Sequence, residues 1–230
     1  NLRNSIFIDN TASEEIAEEY VSYLKNSIGV VTCNKIACAS SLKNYNNLKK
    51  TATRFVTPFL FETNVGAALP IIDTLNNLIA SGDKILEIQA ILSGSLNYIF
   101  NNYKLNTTFK NIVQKAQKEG FTEPDPKIDL SGIDVARKIL ILGRESGFKL
   151  ELDDITNNSF LPEEVLKSDN NDELYESIDR NENHFRSILE SAIKNNKRLK
   201  YVAELKNGKA SVGLREIDEN HSFYNLKGSD

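Results

Sequence analysis

The stretch GFTEPDPKIDLSGIDVARK, residues 120–138, gathers four acidic and three basic side chains around two prolines, directly before an apolar helical pattern. Charged groups beside a core cost desolvation free energy unless they are solvated, paired or used by a ligand. Several carboxylates and a lysine that converge on one cleft suit a small substrate carrying an ammonium group. A solvated turn is the alternative that the residues alone leave open.

Asp134 and Lys138 are the pair in this stretch that suits proton transfer. They are four residues apart, so on a helix they share a face, with the acid in the favourable N-terminal position. A lysine that is partly desolvated in a cleft can act as a general acid or base, and a nearby carboxylate can orient it. An ordinary exposed pair, contributing about 0.3–0.5 kcal/mol to the helix, is the alternative.

Glu123 and Asp129 belong to a segment that Pro124 and Pro126 make stiff. Each proline fixes its own φ and biases the preceding residue to an extended conformation, so the segment predicts a rigid loop that places carboxylates accurately. Asp129 lies just before the predicted helix 130–147, near the positive N-terminal end where an anion is stabilised.

Lys35 and the DNTASE stretch, residues 9–14, each follow a predicted strand. Ligands of parallel α/β sheets bind at the carboxyl ends of the strands, where the cation of Lys35 suits a carboxylate or phosphate. DNTASE also opens a helix, whose free N–H groups attract an anion. A solvated loop lysine and a plain helix cap are the respective alternatives.

Glu62, in FETNVGAALPII (residues 61–72), precedes a glycine-bearing turn and a helix. Its carboxylate and neighbouring backbone carbonyls could hold a hard cation, although sequence does not reveal backbone ligands. The eleven glycines include neither the G-x-G-x-x-G fingerprint of a dinucleotide site nor a phosphate-binding P-loop.

The elements that carry these residues alternate between strand and helix. Strands are predicted at 5–11, 28–35 and 54–63, with helices at 11–25, capped by Thr11 or Ser13, and at 41–50. This alternation is typical of a parallel α/β sheet.

Downstream of residue 63 the pattern predicts helices, one strand and a hairpin. The helices are 69–80, 101–118, 130–147 and 185–195, the strand is 86–92, and the segment 153–182 is predicted to be irregular with short helices. RLKYVAEL-KNGK-ASVGLREI, residues 198–217, predicts a hairpin because two alternating arms flank an Asn-Gly pair.

Length and composition limit the number of domains and the kinds of partner that this chain can have. The chain has 230 residues, 40% hydrophobic, with a net charge of −4, enough for one large domain or two small ones. We expect no nucleic-acid partner, because no basic cluster stands out, and no membrane partner, because the apolar runs are short. No signal peptide is recognisable, and Cys33 and Cys38 form no disulfide framework, which favours the cytoplasm.

The sequence contains no methionine. We therefore expect it to be a fragment of a longer polypeptide or a sequence with residues omitted.

Several motifs together resemble the homoserine dehydrogenase family. They are DNTASEE, VVTCNKIA, FETNVGAALPIIDTL, ILSGSLNYIFN, the opening stretch and the final LKGSD, in the family's order. The sequences of these motifs are most similar to the dehydrogenase part of bifunctional aspartokinase–homoserine dehydrogenase polypeptides. The resemblance implies reduction of L-aspartate 4-semialdehyde to L-homoserine with NADPH or NADH, a homodimer or higher oligomer, and possibly a fused aspartokinase.

The resemblance also implies residue roles. Lys138 would be the general acid, Asp134 would orient it, and Lys35 would assist near the nicotinamide. Glu123, Asp129 and the backbone of Gly120 would bind the substrate. The implied cofactor-binding residues are Asn10, Thr11, Lys35 and Gly228, and the implied ligands of a structural sodium ion are Glu62, Val65, Ala67 and Leu69.

The chain departs from the family pattern at three positions of the site. Ile128 replaces a second aspartate, Phe121 replaces a common tyrosine, and Ser95 stands where threonine is usual. The family's upstream strand, Gly-rich turn and helix are not in this sequence. We therefore expect weak cofactor binding by this segment alone.

The predicted fold class is α/β in two domains. Residues 1–62, completed by 218–230, would form a partial Rossmann-like dinucleotide domain without its first strand and Gly-rich turn. Residues 63–217 would form a substrate-binding and dimerisation domain, a mixed sheet covered by helices. The choice between NADP and NAD depends on residues beyond the Gly-rich turn, so the sequence leaves it open.

Two rival readings remain at this stage. A non-catalytic truncated dimerisation module is favoured if the complete gene also lacks the Gly-rich turn. A divalent-metal enzyme would use Glu123, Asp125, Asp129 and Asp134, but Lys138 would repel the ion, and sensitivity to EDTA tests that reading.

Overall fold

The computed structural model describes residues 4–227, which form an α/β fold. Contacts divide the chain into two compact units. The first comprises the described residues up to Ile88, with Arg137–Ile155 and Leu205–Ala210. The second comprises Gln89–Ala136, Thr156–Glu204 and the described residues from Ser211. The predicted domains at 1–62 and 63–217 stay a prediction.

The first unit contains a three-stranded parallel sheet in the order β1-β2-β3. The strands are β1 (Ile6–Asp9), β2 (Gly29–Thr32) and β3 (Phe59–Leu60), connected by α1 (Glu14–Glu18), α2 (Tyr20–Lys25), α3 (Ile36–Ala39) and α4 (Leu42–Phe55). Asp9 pairs with Thr32, so the carboxyl ends of β1 and β2 lie side by side. The strand–helix alternation therefore predicted the parallel sheet correctly.

Helix boundaries in this unit differ from the predictions in two places. The helix predicted at 11–25 is two helices, and Ser13 caps the first by accepting a hydrogen bond from the Ile16 amide at 3.3 Å. Arg54 and Phe55, predicted as strand, extend α4, because Leu48 and Thr51 continue a buried helical face. The helix ends at Val56, which is left-handed with φ 50°.

The first unit also contains α5 (Thr63–Gly66), α6 (Ile71–Ala80) and a 3₁₀ turn at Leu152–Asp154. A long helix, α10 (Ile133–Glu145), begins among the residues of the second unit and ends among those of the first.

A second sheet has four strands in the order β4-β6-β7-β5. They are β4 (Glu87–Ala90), β5 (Ile155–Asn158), β6 (Arg198–Lys206) and β7 (Lys209–Ile217). The predicted hairpin is confirmed, since β6 and β7 are neighbours joined by Asn207 and Gly208 at φ 52° and 77°. Left-handed conformations at both positions are what a two-residue Asn-Gly turn requires.

The remaining helices are α7 (Gly94–Asn102), α8 (Phe109–Lys118), α9 (Pro126–Leu130), α11 (Glu163–Leu166), α12 (Asn171–Arg180) and α13 (Glu182–Lys194). Aromatic rings form much of the second unit's core, and Phe109 stacks on Phe185 with ring centroids 4.3 Å apart. Within the described part of the chain, no helix has the length and apolar character needed to cross a membrane.

The prediction of one helix at 101–118 was wrong, because two helices occupy this region. Ser93 caps α7 by accepting from the Leu96 amide at 3.1 Å, so a helix begins at the SGS segment, before the predicted start at residue 101. The segment 153–182, predicted to be irregular with short helices, contains α11 and the ten-residue helix α12, which Asn170 caps.

Candidate active site

Asp129 is the most firmly held of the predicted substrate-binding residues. One carboxylate oxygen accepts a hydrogen bond from Ser95 Oγ at 2.7 Å, and the other accepts from the backbone amide of Glu123 at 2.9 Å. Asp129 lies on the short helix α9, which Asp125 caps and Pro126 opens. The predicted loop before a helix 130–147 is therefore partly helical, and the long helix α10 begins at Ile133. The carboxylate has one fixed orientation.

The charges around Asp129 favour a bound cation. Burial raises the pKa of Asp129 and the carboxylates of Glu123 and Asp134 raise it further, while the two hydrogen bonds work in the opposite direction. The net pKa is above the usual range of an aspartate. A ligand ammonium group here would relieve this repulsion and lower the pKa again.

Ser93 and Ser95 form the support beneath Asp129. Their hydroxyl oxygens are 2.9 Å apart, and both residues are buried. Ser93 also caps α7, so the start of this helix is linked through Ser95 to the carboxylate. In the sequence, Ser95 stands out only as a departure from the family pattern, and no local pattern indicates its contact with Asp129.

Gly120 follows α8 with φ 78°, a left-handed conformation that favours glycine. No heavy atom lies within 4 Å of the position that a Cβ would occupy. Glycine is therefore favoured here by the backbone conformation and not by steric crowding of a side chain. The next residue, Phe121, stacks on Tyr98 with centroids 4.0 Å apart and thereby orients the start of the loop that leads to Glu123.

Asp134 and Lys138 both lie on α10 and are half-buried. Asp134 is in the first turn of the helix and Lys138 is one turn further along, on the same face. By contacts, Asp134 belongs to the second unit with Glu123 and Asp129, whereas Lys138 belongs to the first unit with Lys35.

Arg144 fixes the C-terminal part of α10 within the first unit. Its side chain is 4% exposed and donates to the carbonyl oxygens of Cys38, Ser40 and Leu150 at 2.7–3.0 Å. A further hydrogen bond, 3.0 Å long, reaches Glu151. Since Cys38 is on α3, the helix that carries Lys138 is attached to the helix that begins after Lys35.

Glu145 forms a second attachment beside Arg144. Its carboxylate accepts from the Tyr45 hydroxyl and from Lys49 Nζ, the latter at 2.9 and 3.1 Å. Both donors are on α4. Arg144 and Glu145 therefore connect α10 to α3 and α4 of the first unit. Neither contact was predicted from the sequence.

Asn10 and Thr11 are exposed at the carboxyl end of β1, and Asp9 organises the turn that they form. Asp9 is 1% exposed, and its carboxylate accepts from the Thr11 amide at 2.7 Å, from Asn34 Nδ2 at 3.1 Å and from the Tyr20 hydroxyl. Burial opposes ionisation of Asp9, but these hydrogen bonds outweigh it and lower its pKa.

Lys35 stands at the N-terminal boundary of α3 and is half-buried. The preceding Asn34 is held by its bond to Asp9 and by a 2.9 Å hydrogen bond to the Ser13 carbonyl. Lys35 therefore follows a turn that these hydrogen bonds fix. It lies at the same edge of the sheet as Asn10 and Thr11, because β1 and β2 are parallel and their carboxyl ends are adjacent.

Glu62 has a structural role in the first unit. Its two carboxylate oxygens accept from the backbone amides of Ile72 and Asp73 at 2.7 and 2.8 Å, at the start of α6. Val65, Ala67 and Leu69 lie in or after α5, and Ala67 has a left-handed φ of 51°. Gly228, the last predicted cofactor contact, lies outside the described residues.

The fold is α/β, with Asn10, Thr11 and Lys35 at the carboxyl end of a parallel sheet and a group of carboxylates around Asp129. Comparison with known proteins gives the family. The model for "Homoserine dehydrogenase, NAD binding domain" matches residues 1–62, and that for "Homoserine dehydrogenase" matches residues 70–230. The chain belongs to the homoserine dehydrogenase family.

Relatives support the same family. The chain is 42% identical over 232 residues to a bifunctional aspartokinase/homoserine dehydrogenase of Zea mays, covering 99% of this chain and 25% of that protein. It is 39% identical over 234 residues to homoserine dehydrogenase of Schizosaccharomyces pombe, covering 98% and 62%. The chain thus spans about a quarter of the bifunctional relatives and under two thirds of this shorter one.

Solved structures share the fold. A Candida auris protein of unknown function superposes with a TM-score of 0.92 at 35% identity, covering 99% of this chain and 66% of that one. A putative homoserine dehydrogenase of Archaeoglobus fulgidus has a TM-score of 0.74 at 22% identity, covering 98% and 62%, which shows the fold alone.

Proposed function

We propose that, within the intact protein, this chain reduces L-aspartate 4-semialdehyde to L-homoserine with NADPH or NADH. Family membership supports the reaction class. The observation that carries the substrate assignment is the Asp129 carboxylate, held by Ser95 and the Glu123 amide beside two further carboxylates. An aldehyde substrate that carries an α-ammonium group matches this concentration of negative charge.

The chain's residues bind the substrate and supply the proton. Glu123 and Asp129 bind the ammonium group, and the left-handed Gly120 leaves its backbone open to the substrate. Lys138 Nζ donates a proton to the aldehyde oxygen, and Asp134 orients that amine. The bound nicotinamide supplies the hydride that completes the alcohol. Lys35 adds positive charge that favours the developing alkoxide.

Asn10, Thr11 and Lys35 are proposed to contact the cofactor. Support comes from their position on one sheet edge, on a backbone that Asp9 and Asn34 fix before any ligand binds. One solved relative is titled a hyperthermophilic archaeal homoserine dehydrogenase in complex with NADPH, at 24% identity and a TM-score of 0.69, covering 95% of this chain and 58% of its own. The proposal covers either NADPH or NADH as the cofactor. Gly228 stays a proposed cofactor contact.

A structural sodium ion at Glu62 and the carbonyls of Val65, Ala67 and Leu69 stays a proposal. Both Glu62 oxygens already accept a backbone hydrogen bond, and each has a second lone pair left for a cation. We also propose a homodimer formed through the four-stranded sheet, a cytoplasmic location, and a fused aspartokinase such as the bifunctional relatives are named for.

The test is the oxidation of NADPH or NADH by the intact protein with aspartate semialdehyde, followed by absorbance. Lys138→Ala should lower kcat by about 10²–10⁴-fold, the usual size of a general-acid contribution, with little change in cofactor affinity. Lys167→Ala is the matched control, since that lysine is 72% exposed and forms an ion pair with Glu163 beside α11.

Two outcomes contradict the proposal in different ways. Full turnover by Lys138→Ala removes the proton-transfer role. No oxidation of either cofactor by the folded, intact protein leaves the non-catalytic dimerisation module as the better reading.

A further inference from the structure

A cavity of about 590 Å³ lies within the second unit, apart from the acidic residues of the candidate active site. Its walls are the end of α7, one face of α13, the start of β6 and the segment around Tyr224. Glu123, Asp129 and Asp134 are not among the residues that line it. The cavity is large enough for a small metabolite.

The lining of this cavity is strongly basic. Among the described residues that line it there are four cations and neither aspartate nor glutamate: Lys104, Lys197, Arg198 and Lys227. The chain as a whole has 32 acidic and 28 basic residues, so its average surface would bring acids into such a lining. The Glu182 carboxylate accepts from the hydroxyl of Tyr103 in the lining, but it is also paired with Arg186. The four lining cations therefore leave a net positive charge that attracts an anion.

Arg198 is held ready for a ligand. Its Nη1 donates to the Tyr224 carbonyl at 2.9 Å and to Asn225 Oδ1 at 3.3 Å, and its guanidinium lies 4.1 Å from the centre of the Tyr224 ring. An arginine fixed in this way loses little conformational entropy when it binds an oxyanion through its remaining donors.

Lys200 is a fifth cation close to this cavity. It is 1% exposed, and its amine donates to Asn97 Oδ1 at 3.1 Å, to Asn101 Oδ1 at 2.8 Å and to the Leu226 carbonyl, all neutral acceptors. Burial lowers the pKa of Lys200 to about 8, with repulsion from Arg198 and Lys104 adding to it. An anion in the cavity would offset this repulsion.

Part of the cavity lining is apolar: Phe100, Leu189, Ala192 and Leu199. We propose that this cavity binds a small organic anion, a carboxylate or phosphate ester, whose charged group meets Arg198 and the lysines while its apolar portion contacts Phe100 and Leu189. The lining contains none of the residues proposed for substrate binding or proton transfer, so a binding measurement tests the cavity without turnover.

The experiment is isothermal titration calorimetry on the intact protein at constant ionic strength. Benzoate and phenyl phosphate are the two arms that distinguish carboxylate from phosphate, and acetate and inorganic phosphate are their counterparts without an apolar portion. We expect saturable binding of at least one aromatic anion, tighter than its counterpart. Lys104→Gln/Lys197→Gln should weaken it about tenfold, equivalent to about 1.4 kcal/mol.

The matched control is Lys110→Gln/Lys167→Gln, which removes the same charge at lysines that pair with Asp179 and Glu163 outside the cavity. This control should bind as the unaltered protein does. The proposal is overturned if neither aromatic anion binds saturably, or if the two double variants weaken binding equally. A charge-reversing variant, Arg198→Glu, with unchanged affinity and an unchanged unfolding midpoint would overturn it as well.

Discussion

Arg144 donates a hydrogen bond from Nη1 to the carbonyl oxygen of Cys38 over 2.8 Å, although the two residues are 106 positions apart in the sequence. This contact attaches the helix of Lys138 to the short helix that follows Lys35. Two lysines assigned to the same reaction are therefore on elements that one buried guanidinium holds together.

Arg144→Lys should destabilise the protein by about 1–3 kcal/mol, because a lysine cannot replace the fork of donors that satisfies four acceptors in a buried position. Urea unfolding followed by circular dichroism measures this change. Arg180→Lys is the control, since Arg180 is 57% exposed in its pair with Glu164 and should change stability by less than about 0.5 kcal/mol. Equal effects of the two variants would contradict the assigned importance of the buried contact.

Tyr20→Phe should destabilise the fold and reduce its dependence on acid pH. The folded pKa of Asp9 is lowered, so its ionisation stabilises the fold above the unfolded pKa, and that contribution is lost as pH falls through the folded pKa. Removing the Tyr20 hydroxyl raises the folded pKa of Asp9 and shrinks this contribution. The difference between the unfolding free energies at pH 6 and at pH 3 should be smaller in the variant; an unchanged difference would refute the linkage.

Asp129→Asn should stabilise the folded protein at neutral pH while weakening substrate binding. The folded pKa of Asp129 is raised, so its ionisation costs stability as pH rises from the unfolded pKa through the folded pKa, and an amide does not carry this cost. The amide can accept from Glu123 N and donate to Ser95 Oγ, which keeps both contacts. We expect a higher unfolding midpoint at pH 7 than the unaltered protein, with little difference at pH 3.

The same variant separates stability from function. Loss of the charge should raise KM for aspartate semialdehyde by about tenfold or more, the effect of one lost charge-assisted contact. A variant with lowered stability at pH 7 and unchanged KM would contradict both parts of the prediction.

Gly120→Ala and Gly82→Ala form a matched pair. Both glycines have a left-handed φ, 78° and 94°, and neither has a heavy atom within 4 Å of the added Cβ. Each substitution should therefore cost about 1 kcal/mol of stability through the backbone alone. Only Gly120→Ala should also raise KM, if the Gly120 backbone borders the substrate. Equal KM values for the two variants would remove Gly120 from the substrate site.

The sequence predicted the fold where a local pattern determined it. The parallel sheet followed from strand–helix alternation, and the hairpin followed from the Asn207-Gly208 turn. The boundary at Phe55 was wrong because its aromatic and β-branched neighbours have strand propensity, whereas the buried face of α4 determines the helix.

The candidate site could be predicted only in part for a related reason. Motif residues such as Glu123 and Asp129 are close in sequence, so a stiff loop indicated them. The contacts of Asp9 with Tyr20 and of Arg144 with Cys38 join residues that only the tertiary fold brings together. No periodicity or spacing records such pairs, and they are the contacts that hold the motif residues in position.

The shared carboxylate of Asp9 makes three segments of the nucleotide-type edge interdependent: the turn at Thr11, the helix of Tyr20 and the turn at Asn34. Because all three donate to this one carboxylate, a single proton on it would weaken all three contacts together. Acid should therefore loosen the Thr11 turn, the Tyr20 helix and the Asn34 turn together and not one at a time.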